Sequence, residues 1–471
     1  MKYFLIAATI LVPLTAAASV RRNLGADGPP PLKPALERGN VETRWFTQFL
    51  DNFDPENNAT WQNRYMINED YYVKGSPIFV FLGGSVTMDS IYISSGLWVD
   101  IAKQHNGSLL AIEHRYIGES IPIEPFSTKN LKYQSVDQAM HDAFSIIESL
   151  LQTYKYNGSK VVVAGCSYAG TMATWMRKKY PDVVRGSWAS SAPLVAKVDF
   201  SDYMVVVGKA YRKLGGDYCY NLIDNATTYY QNLFASGRGE KAKKELNLCD
   251  NFDVDNKRDQ WQIFSTIANI ISAIAQYQKP DKHDMPNFCS ELRNFSDDDA
   301  VALSQLVQSK LKEPVCINQT YQGIVNAHIW SKNNYNDSDL AWFYLTCNEL
   351  GWFHSSGGRK QPFGKSFPAP LFTDQCYDVF GSNYTVANID SKIAATNKVY
   401  GGLNPGVTNV YFVQGALDPW LMAGAGVKQG ATIIPYASHC PDVDSISASD
   451  SAELRASKEK LVELVSQWLS E

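Results

Sequence analysis

The segment that most constrains the fold of this chain is Lys160–Gly170, which reads KVVVAGCSYAG. Its three consecutive valines predict a fully buried strand. Residues Thr171 to Lys179 predict a helix that stops before Pro181, since proline cannot continue it. A strand, a sharp turn with a serine at its tip, and a helix together form a nucleophile elbow. Ser167 is therefore the first candidate for a catalytic residue.

The elbow pattern is weak evidence on its own. The usual pattern is G-x-S-x-G, whereas this chain has Ala169 in place of the second glycine and Gly170 one position later. The alternative interpretation is a tight strand-to-helix turn with an idle serine. The catalytic interpretation needs a general base and an acid elsewhere in the chain, because a serine hydroxyl is a weak nucleophile by itself.

The length, composition and charge of the chain limit the class of protein to which it can belong. At 471 residues it exceeds one ordinary core, so we expect two domains or one domain with a large insertion. Its content of 45% hydrophobic and 19% charged residues is typical of a globular protein. The net charge is −5 and no basic block occurs, so nucleic acid is not an expected partner.

The N-terminus predicts entry into the secretory pathway. Lys2 gives a positive start, Tyr3 to Leu14 form an apolar stretch, and three alanines form a small-residue cleavage site, so residues 1–18 are interpreted as a signal peptide. The apolar stretch is too short to span a membrane well, and no later segment is apolar enough to span one. Residues 19–43, rich in proline and glycine up to position 40, are expected to be disordered or propeptide-like. The predicted location is extracellular or lysosomal.

Two further features fit an oxidising compartment. The eight cysteines are even in number and none has a metal-type CxxC spacing, so disulfides are expected. Eight Asn-x-Ser/Thr sequons predict a glycoprotein. They begin at Asn58, Asn106, Asn157, Asn225, Asn294, Asn318, Asn336 and Asn383.

The order of predicted elements is that of an α/β protein. Buried strands are predicted at Ser76–Leu82 and Ser108–Ile112, and an amphipathic helix at Ser135–Tyr154. Strands that alternate with helices predict a mostly parallel sheet with helices on both faces. Strand signals vanish and helical periodicity dominates between residues 196 and 365. We therefore expect an α/β sheet domain, with residues 44–195 as its first part, 196–365 as an inserted helical cap, and 366–471 as its second part.

The general base and its acid are predicted from chain order. In an α/β hydrolase the order is Ser, then Asp or Glu, then His. Beyond His354 the only histidine is His439, which follows the last predicted strand, and Asp418 follows the strand before it. Ser167, Asp418 and His439 thus all fall at the carboxyl ends of predicted strands, where the chemistry of such sheets is located. A capping aspartate and a surface histidine are the alternatives for each residue taken singly.

The remaining polar candidates lie near other strand ends. The oxyanion hole is predicted to use the backbone N–H of Tyr168 and one from the Gly83-Gly84 turn. The run Glu113-His114-Arg115 is interpreted as a structural ion-pair cluster at a strand end. A serine mechanism of this kind predicts no cofactor and no metal.

Four motifs carry a resemblance to a known family. They are EHRYIGES from Glu113, GCSY from Gly165, WASSAP from Trp188 and GALDPW from Gly415. Together they resemble the S28 serine peptidases, a family that includes lysosomal Pro-X carboxypeptidase, dipeptidyl peptidase II and thymus-specific serine protease. The resemblance covers about residue 44 to the C-terminus and is greatest to the thymus-specific and invertebrate branch. Cys166 and Ser85 depart from it, because relatives usually have a glycine and an acidic residue at these positions.

The resemblance implies a function and several residue roles. It implies an α/β-hydrolase domain with a helical cap, a triad of Ser167, Asp418 and His439, and peptide substrates often cleaved after proline, which favours an exopeptidase. Trp420 would then help to line a proline pocket, with a core tryptophan as the alternative. The resemblance also implies the disulfides Cys219–Cys289, Cys249–Cys316 and Cys347–Cys376, whereas the sequence alone allows many pairings. A homodimer is left open.

Two other functions are compatible with these residues. One is an esterase or lipase on the same fold, and the other is a secreted binding protein that keeps the triad without using it.

The two cysteines that the implied pairing leaves over are Cys166 and Cys440, each next to a triad residue. We expect them to be two separate thiols, since the residue before an elbow serine often points into the packing of the sheet, where a buried cysteine acts as a small apolar side chain. A disulfide between them is the alternative.

Overall fold

The computed structural model describes residues 39–313, 315–334 and 337–471. The predicted signal peptide, most of the segment 19–43, and the Asn336 sequon lie outside the described residues. Within them, no helix is long and apolar enough to cross a membrane.

An eight-stranded sheet organises the molecule. Its strand order is β1-β2-β4-β3-β5-β6-β9-β10; β2 is antiparallel to both of its neighbours, and all other neighbouring strands are parallel. Two short strands, β7 and β8, pair outside it. The strands are β1 Val41–Phe49, β2 Thr60–Asn68, β3 Ile78–Leu82, β4 Ser108–Ile112, β5 Val161–Cys166, β6 Val184–Ser190, β7 Lys197–Asp199, β8 Gly351–Phe353, β9 Val410–Gly415 and β10 Thr432–Ile434.

Helices cover both faces of the sheet and fill the segment between β6 and β9. They are α1 Leu97–Gln104, α2 Val136–Leu151, α3 Tyr168–Lys179, α4 Asp202–Ala210, α5 Gly216–Ala235, α6 Gly239–Glu245, α7 Lys257–Tyr277, α8 Asp284–Phe295, α9 Asp299–Leu311, α10 Tyr321–Asn334, α11 Ser338–Leu345, α12 Pro370–Phe380, α13 Val386–Tyr400 and α14 Ala452–Ser470. The predicted mostly parallel α/β sheet is confirmed, and the chain has the α/β-hydrolase fold.

The central strands are buried for the reason that their sequences predict. Every residue of β3, β4 and β5 is buried, because helices shield both faces of these parallel strands. The amphipathic helix α2 begins where predicted: the Ser135 hydroxyl accepts a hydrogen bond from the Gln138 amide. This packing fixes the carboxyl ends of β5, β9 and β10 along one edge of the sheet.

The segment between β6 and β9 is mostly helical, but it is not free of strands. β7 and β8 pair in parallel through Lys197 with Gly351 and Asp199 with Phe353. The expectation that strands vanish in this segment is therefore wrong at its two ends. Three-residue strands give too short a pattern to recognise in a sequence, and their pairing joins positions more than 150 residues apart.

Candidate active site

Ser167 lies at the tip of the turn between β5 and α3. Its backbone has a positive φ, at 61°, with ψ of −133°. Such a conformation is strained for a residue with a side chain and is typical of functional positions. The Ser167 amide donates to the carbonyl of Ser190 on neighbouring β6 at 2.9 Å, which fixes the turn to the sheet.

Glycines allow the strand and the helix of the elbow to approach each other. A Cβ at Gly165 would overlap the carbonyl of Ala169 and lie 2.6 Å from the amide nitrogen of Gly170. A Cβ at Gly170 would lie 2.9 Å from the carbonyl oxygen of Gly165 and 3.0 Å from that of Ser190. Gly170 therefore provides the close approach, although it is one position later than in the usual pattern, and the side chain of Ala169 lies towards Gly84.

Asp418 and His439 are in direct contact. His439 Nδ1 lies 2.9 Å and 3.0 Å from the two carboxylate oxygens of Asp418, and both side chains are inaccessible to solvent. Asp418 Oδ1 also accepts the backbone N–H of Trp420 at 2.9 Å. A buried carboxylate held in this way fixes an imidazole with its proton on Nδ1, so Nε2 is left as the basic nitrogen.

His439 Nε2 is the available atom of the pair. It is buried and has no hydrogen-bond partner among the residues that the structure describes. A ring nitrogen of His439 lies within 4.8 Å of the sulfur atoms of Cys166 and Cys440, so the imidazole sits beside the elbow. The structure does not join Nε2 to Ser167 by a hydrogen bond. In enzymes without substrate this bond is often long and shortens when substrate binds.

Cys166 and Cys440 form a disulfide with a Cα–Cα distance of 5.9 Å. The expectation of two separate thiols is therefore wrong. Residues 435–442, which follow β10 and carry His439, are called the histidine loop here. Close approach of the elbow and this loop brings the two cysteines into bonding range. The amide of Cys440 also donates to the Ser191 hydroxyl at 2.8 Å, so the loop is held beside the elbow by a second contact. The structure also contains the disulfides Cys219–Cys289, Cys249–Cys316 and Cys347–Cys376.

Gln276, near the end of α7, holds the histidine loop from the other side. Its carbonyl accepts the amide of His439 at 3.1 Å and the Ser438 hydroxyl at 2.7 Å. Its side-chain Oε1 accepts the Trp420 indole N–H at 3.1 Å and the Tyr203 hydroxyl at 2.7 Å. Gln276 therefore contacts the neighbours of both Asp418 and His439. Sequence reasoning missed it, because no motif marks a residue whose role depends on contacts with distant segments.

The two glycines after β3 differ in what their amides do. The Gly83 amide donates to the carbonyl of Ile112 at 2.7 Å, so it is occupied. Gly84 packs beside the elbow, where a Cβ would lie 3.4 Å from the Ala169 nitrogen and 3.8 Å from the Tyr168 ring. Of the two amides that the predicted turn offers, Gly84 is therefore the better candidate for the oxyanion donor. The candidate donors are the amides of Gly84 and Tyr168, the latter being the first residue of α3 and without an intrahelical acceptor.

The side chain of Tyr168 is held by His114. The Tyr168 hydroxyl lies 3.1 Å from His114 Nε2, and His114 Nδ1 lies 2.7 Å from the carbonyl of Arg115. Since a carbonyl only accepts, Nδ1 carries the proton and Nε2 accepts from the tyrosine. Complete burial lowers the pKa of His114 to about 4, which keeps the imidazole neutral. A residue that the sequence assigned only to an ion-pair cluster thus orients the residue next to Ser167.

The neighbours of His114 do form ion pairs, as predicted. Glu113 accepts from Arg64 at 3.0 Å, and Arg115 donates to Asp142 at 2.7 Å. All four residues are buried. They join β2 and α2 to the end of β4 and have a structural role.

Asp442 anchors the other end of the histidine loop. Its carboxylate accepts the Trp188 indole N–H at 2.8 Å and the hydroxyl of Ser190, both on β6. Burial raises the pKa of Asp442, while the two donors oppose that effect. Together with the disulfide at Cys440, this contact fixes the loop to strands β5 and β6.

Trp420 packs in an aromatic cluster with residues of the segment between β6 and β9. Its ring centroid is 4.9 Å from His354, 5.5 Å from Trp352 and 5.7 Å from Tyr203. The His439 ring is 6.3 Å away. Trp420 is only 3% exposed, so it is a packed residue that borders the triad.

A strained serine elbow and a buried Asp–His pair at neighbouring strand ends define a serine hydrolase of the α/β-hydrolase fold. The chain belongs to the serine carboxypeptidase S28 family, whose family model matches residues 48–461. It is therefore a serine-type peptidase, as the four motifs predicted.

Relatives of known name agree with this assignment. Thymus-specific serine protease of Mus musculus is 29% identical and aligns over 91% of this chain and 87% of its own length. Lysosomal Pro-X carboxypeptidase of Bos taurus is 27% identical over 91% and 88% of the two chains. Among solved structures, epoxide hydrolase A of Mycobacterium thermoresistibile matches with a TM-score of 0.36 at 13% identity, over 91% of this chain and 98% of that one.

Proposed function

We propose that this protein hydrolyses peptide bonds through an acyl-enzyme formed on Ser167. The Ser167 oxygen attacks the scissile carbonyl carbon while His439 Nε2 takes the hydroxyl proton, and the amides of Tyr168 and Gly84 bind the resulting oxyanion. Collapse breaks the carbon–nitrogen bond, and the amine leaves with the proton from His439. Water then attacks the ester and gives its proton to His439, which restores the serine and releases the acid.

One observation carries this proposal: the buried Asp418–His439 pair stands beside a serine held at positive φ. The test is labelling with a fluorophosphonate probe, compared between the natural protein and the Ser167→Ala variant. Labelling that depends on Ser167 supports the serine mechanism, and labelling that persists in the variant contradicts it. A panel of peptide and ester substrates then separates a peptidase from an esterase.

We propose more specifically that the protein is an exopeptidase that prefers proline before the scissile bond. It rests on family membership, on the printed name of the Pro-X carboxypeptidase relative, and on the flat ring of Trp420 close to His439. Aromatic rings suit the apolar proline ring. We further propose that residues 196–365 act as a cap, since α7 of this segment contacts the histidine loop through Gln276.

Peptide-library cleavage with mass-spectrometric readout tests the specificity. We expect enrichment of proline at the residue before the cut, and cuts near a chain end. Enrichment of other residue types, or cuts spread along the peptides, would contradict these finer assignments while leaving the serine mechanism intact.

We also propose that the protein is glycosylated and is secreted or lysosomal. The sequence begins with a predicted signal peptide, and the seven sequon asparagines that the structure describes are all exposed. The four disulfides fit an oxidising compartment. Glycosidase treatment of the protein from its native host should increase its mobility on a gel, and an unchanged mobility would contradict the proposal.

A further inference from the structure

The outermost strand of the sheet exposes two aromatic side chains. β1 is the first strand in the sheet order, so one of its edges has no neighbouring strand among the described residues. Trp45 on this strand is 47% exposed and Phe49 is 55% exposed. Alternate residues of a strand point to the same face, so the two rings share one face of β1. Neither ring stacks on an aromatic ring or a cation within the described part of the chain.

A glycosylation sequon lies opposite Phe49 in the hairpin of β1 and β2. The strand register pairs Phe49 with Thr60, the third residue of the sequon Asn58-Ala59-Thr60. The amide of Leu50 donates to the carbonyl of Ala59 at 2.8 Å, so the pairing continues beyond the last residue of β1. Asn58 is then the diagonal neighbour of Phe49, and diagonal neighbours are about 7–8 Å apart, within reach of a long side chain.

The side chain of Asn58 is free to carry a sugar. It is exposed and forms no hydrogen bond to any residue that the structure describes. The turn before it is held by Asn57 instead, whose Oδ1 accepts the amide of Ala59 at 3.2 Å. The sequon residue Asn225 differs, because its amide nitrogen donates to Asp299 at 2.9 Å and a sugar there would compete with that bond.

These positions bring the first sugar of an Asn58 glycan next to the ring of Phe49. Building on the glycosylation proposed above, we propose that the first N-acetylglucosamine on Asn58 packs its C–H face against Phe49, so that the β1–β2 hairpin is a built site for this sugar. Its attachment joins Asn58 Nδ2 to C1 of the sugar, while Nδ2 loses a proton and the lipid diphosphate that carried the sugar leaves. An aromatic ring offers a large apolar surface, and covering it stabilises the hairpin.

The same sugar protects the free edge of the sheet. An unpaired edge strand with exposed apolar side chains is a template for pairing with another chain. A bulky, hydrophilic glycan at the end of β1 keeps a second chain away from this edge. The site therefore joins two effects, a more stable hairpin and an edge that does not associate.

The first test measures hydrogen exchange of the β1 amides in the full glycoprotein made in a eukaryotic secretory host. Asn58→Gln removes the sugar and should make the β1 amides that are bonded to β2 exchange about fivefold faster, the size expected for the loss of one aromatic contact. The same substitution should have no further effect in a Phe49→Thr protein, because the ring that the sugar contacts is already absent. Phe49→Tyr keeps the ring and should keep the effect.

Trp45→Thr is the matched control. It removes a similarly exposed ring from the same face of β1, four residues from Phe49, and should leave the effect of Asn58→Gln in place. Trimming with an endoglycosidase that leaves one N-acetylglucosamine on Asn58 should preserve the slow exchange. Fast exchange after trimming would show that the outer sugars protect β1, and would overturn the assignment to the first sugar.

Mass spectrometry of the peptide that contains Asn58 separates this inference from the glycosylation on which it rests. An unmodified Asn58 overturns both the glycan at this position and its contact with Phe49. A modified Asn58 whose replacement leaves the exchange of β1 unchanged overturns the contact alone. A dimer in sedimentation analysis that Phe49→Thr dissociates would show that a second copy of the chain covers the ring, which would also overturn the contact.

Discussion

Cys166 and Cys440 are joined by a disulfide across 274 residues of sequence, so the residue before the candidate nucleophile is covalently tied to the residue after the candidate base. The bond connects the end of β5 to the histidine loop. It therefore holds the loop that carries the candidate base against the strand that carries the candidate nucleophile.

Replacing this disulfide should lower activity as well as stability. The Cys166→Ala, Cys440→Ala double variant removes the covalent link between the elbow and the loop, so kcat should fall, and the free energy of unfolding should drop by about 2–4 kcal/mol. Urea unfolding and peptide hydrolysis measure the two effects. The Cys249→Ala, Cys316→Ala variant is the control, because it removes a disulfide between two segments that carry no candidate triad residue, and it should lose stability alone. An unchanged kcat in the first variant would contradict a positioning role.

Removing the candidate nucleophile should abolish hydrolysis without unfolding the protein. Ser167→Ala deletes one hydroxyl at a turn that backbone contacts already fix, so kcat should fall more than about 1,000-fold while thermal stability changes little. The Ser167→Ala, His439→Ala double variant should be hardly less active than either single variant, because triad residues act as a unit. If the loss of kcat in the double variant equalled the product of the losses in the two single variants, the triad would be contradicted.

Gly165 should not tolerate a side chain. Gly165→Ala places a Cβ against the carbonyl of Ala169, so we expect a loss of several kcal/mol, about 3 or more, or no soluble protein. Gly426→Ala is the control, because its Cβ would meet its nearest neighbour at 3.5 Å, an ordinary contact. Chemical denaturation measures both. Equal stability of the two variants would show that the elbow packs less tightly than described.

Gln276 should act as a positioning residue for the base. Gln276→Met removes the acceptor that Trp420 and Tyr203 share, so each of these two buried groups loses one hydrogen bond, at a cost of about 1 kcal/mol per bond. We expect kcat to fall more than KM rises, since Trp420 supports Asp418. Tyr203→Phe removes one of the two donors and should therefore cost less in the Gln276→Met background than in the natural protein. A double-mutant cycle measures this coupling, and simple additivity would contradict it.

His114, which is buried, and Glu349, which is partly buried, should give stability opposite pH dependences that largely cancel between about pH 4.5 and 6.5. Burial lowers the pKa of His114 from 6.5 to about 4. The unfolded chain therefore takes up this proton first, and stability is lost as the pH falls from about 6.5 towards 4. Burial raises the pKa of Glu349 from 4.5 to about 7, while the amide of Val136, which donates to it at 2.9 Å, lowers it. The unfolded chain loses that proton first, so stability is lost as the pH rises from about 4.5 towards 7.

Thermal unfolding between pH 4 and pH 8 tests this pair. Glu349→Gln leaves only the His114 contribution, so stability should rise from about pH 4 to pH 6.5. His114→Gln leaves only the Glu349 contribution, so stability should fall from about pH 4.5 to pH 7. If either variant kept the slope of the natural protein, that residue would not be the titrating group.

The sequence by itself determined the sheet, the elbow and the order of the triad candidates. Buried apolar runs marked β3, β4 and β5, because a strand shielded on both faces needs apolar side chains at every position. The glycines around Ser167 marked the elbow, because strand and helix can approach only where a Cβ is absent. Asp418 and His439 could be chosen because each follows a predicted strand in the order that the fold requires.

The tertiary structure decided what depends on contacts between distant segments. Local periodicity reports how a segment is buried but not which segment covers it. For this reason Cys166 and Cys440, which form a disulfide, were predicted to be separate thiols, and Gln276 was missed. The same limit explains why Gly83 and Gly84 could not be distinguished: the Gly83 amide is occupied only because β4 lies beside β3.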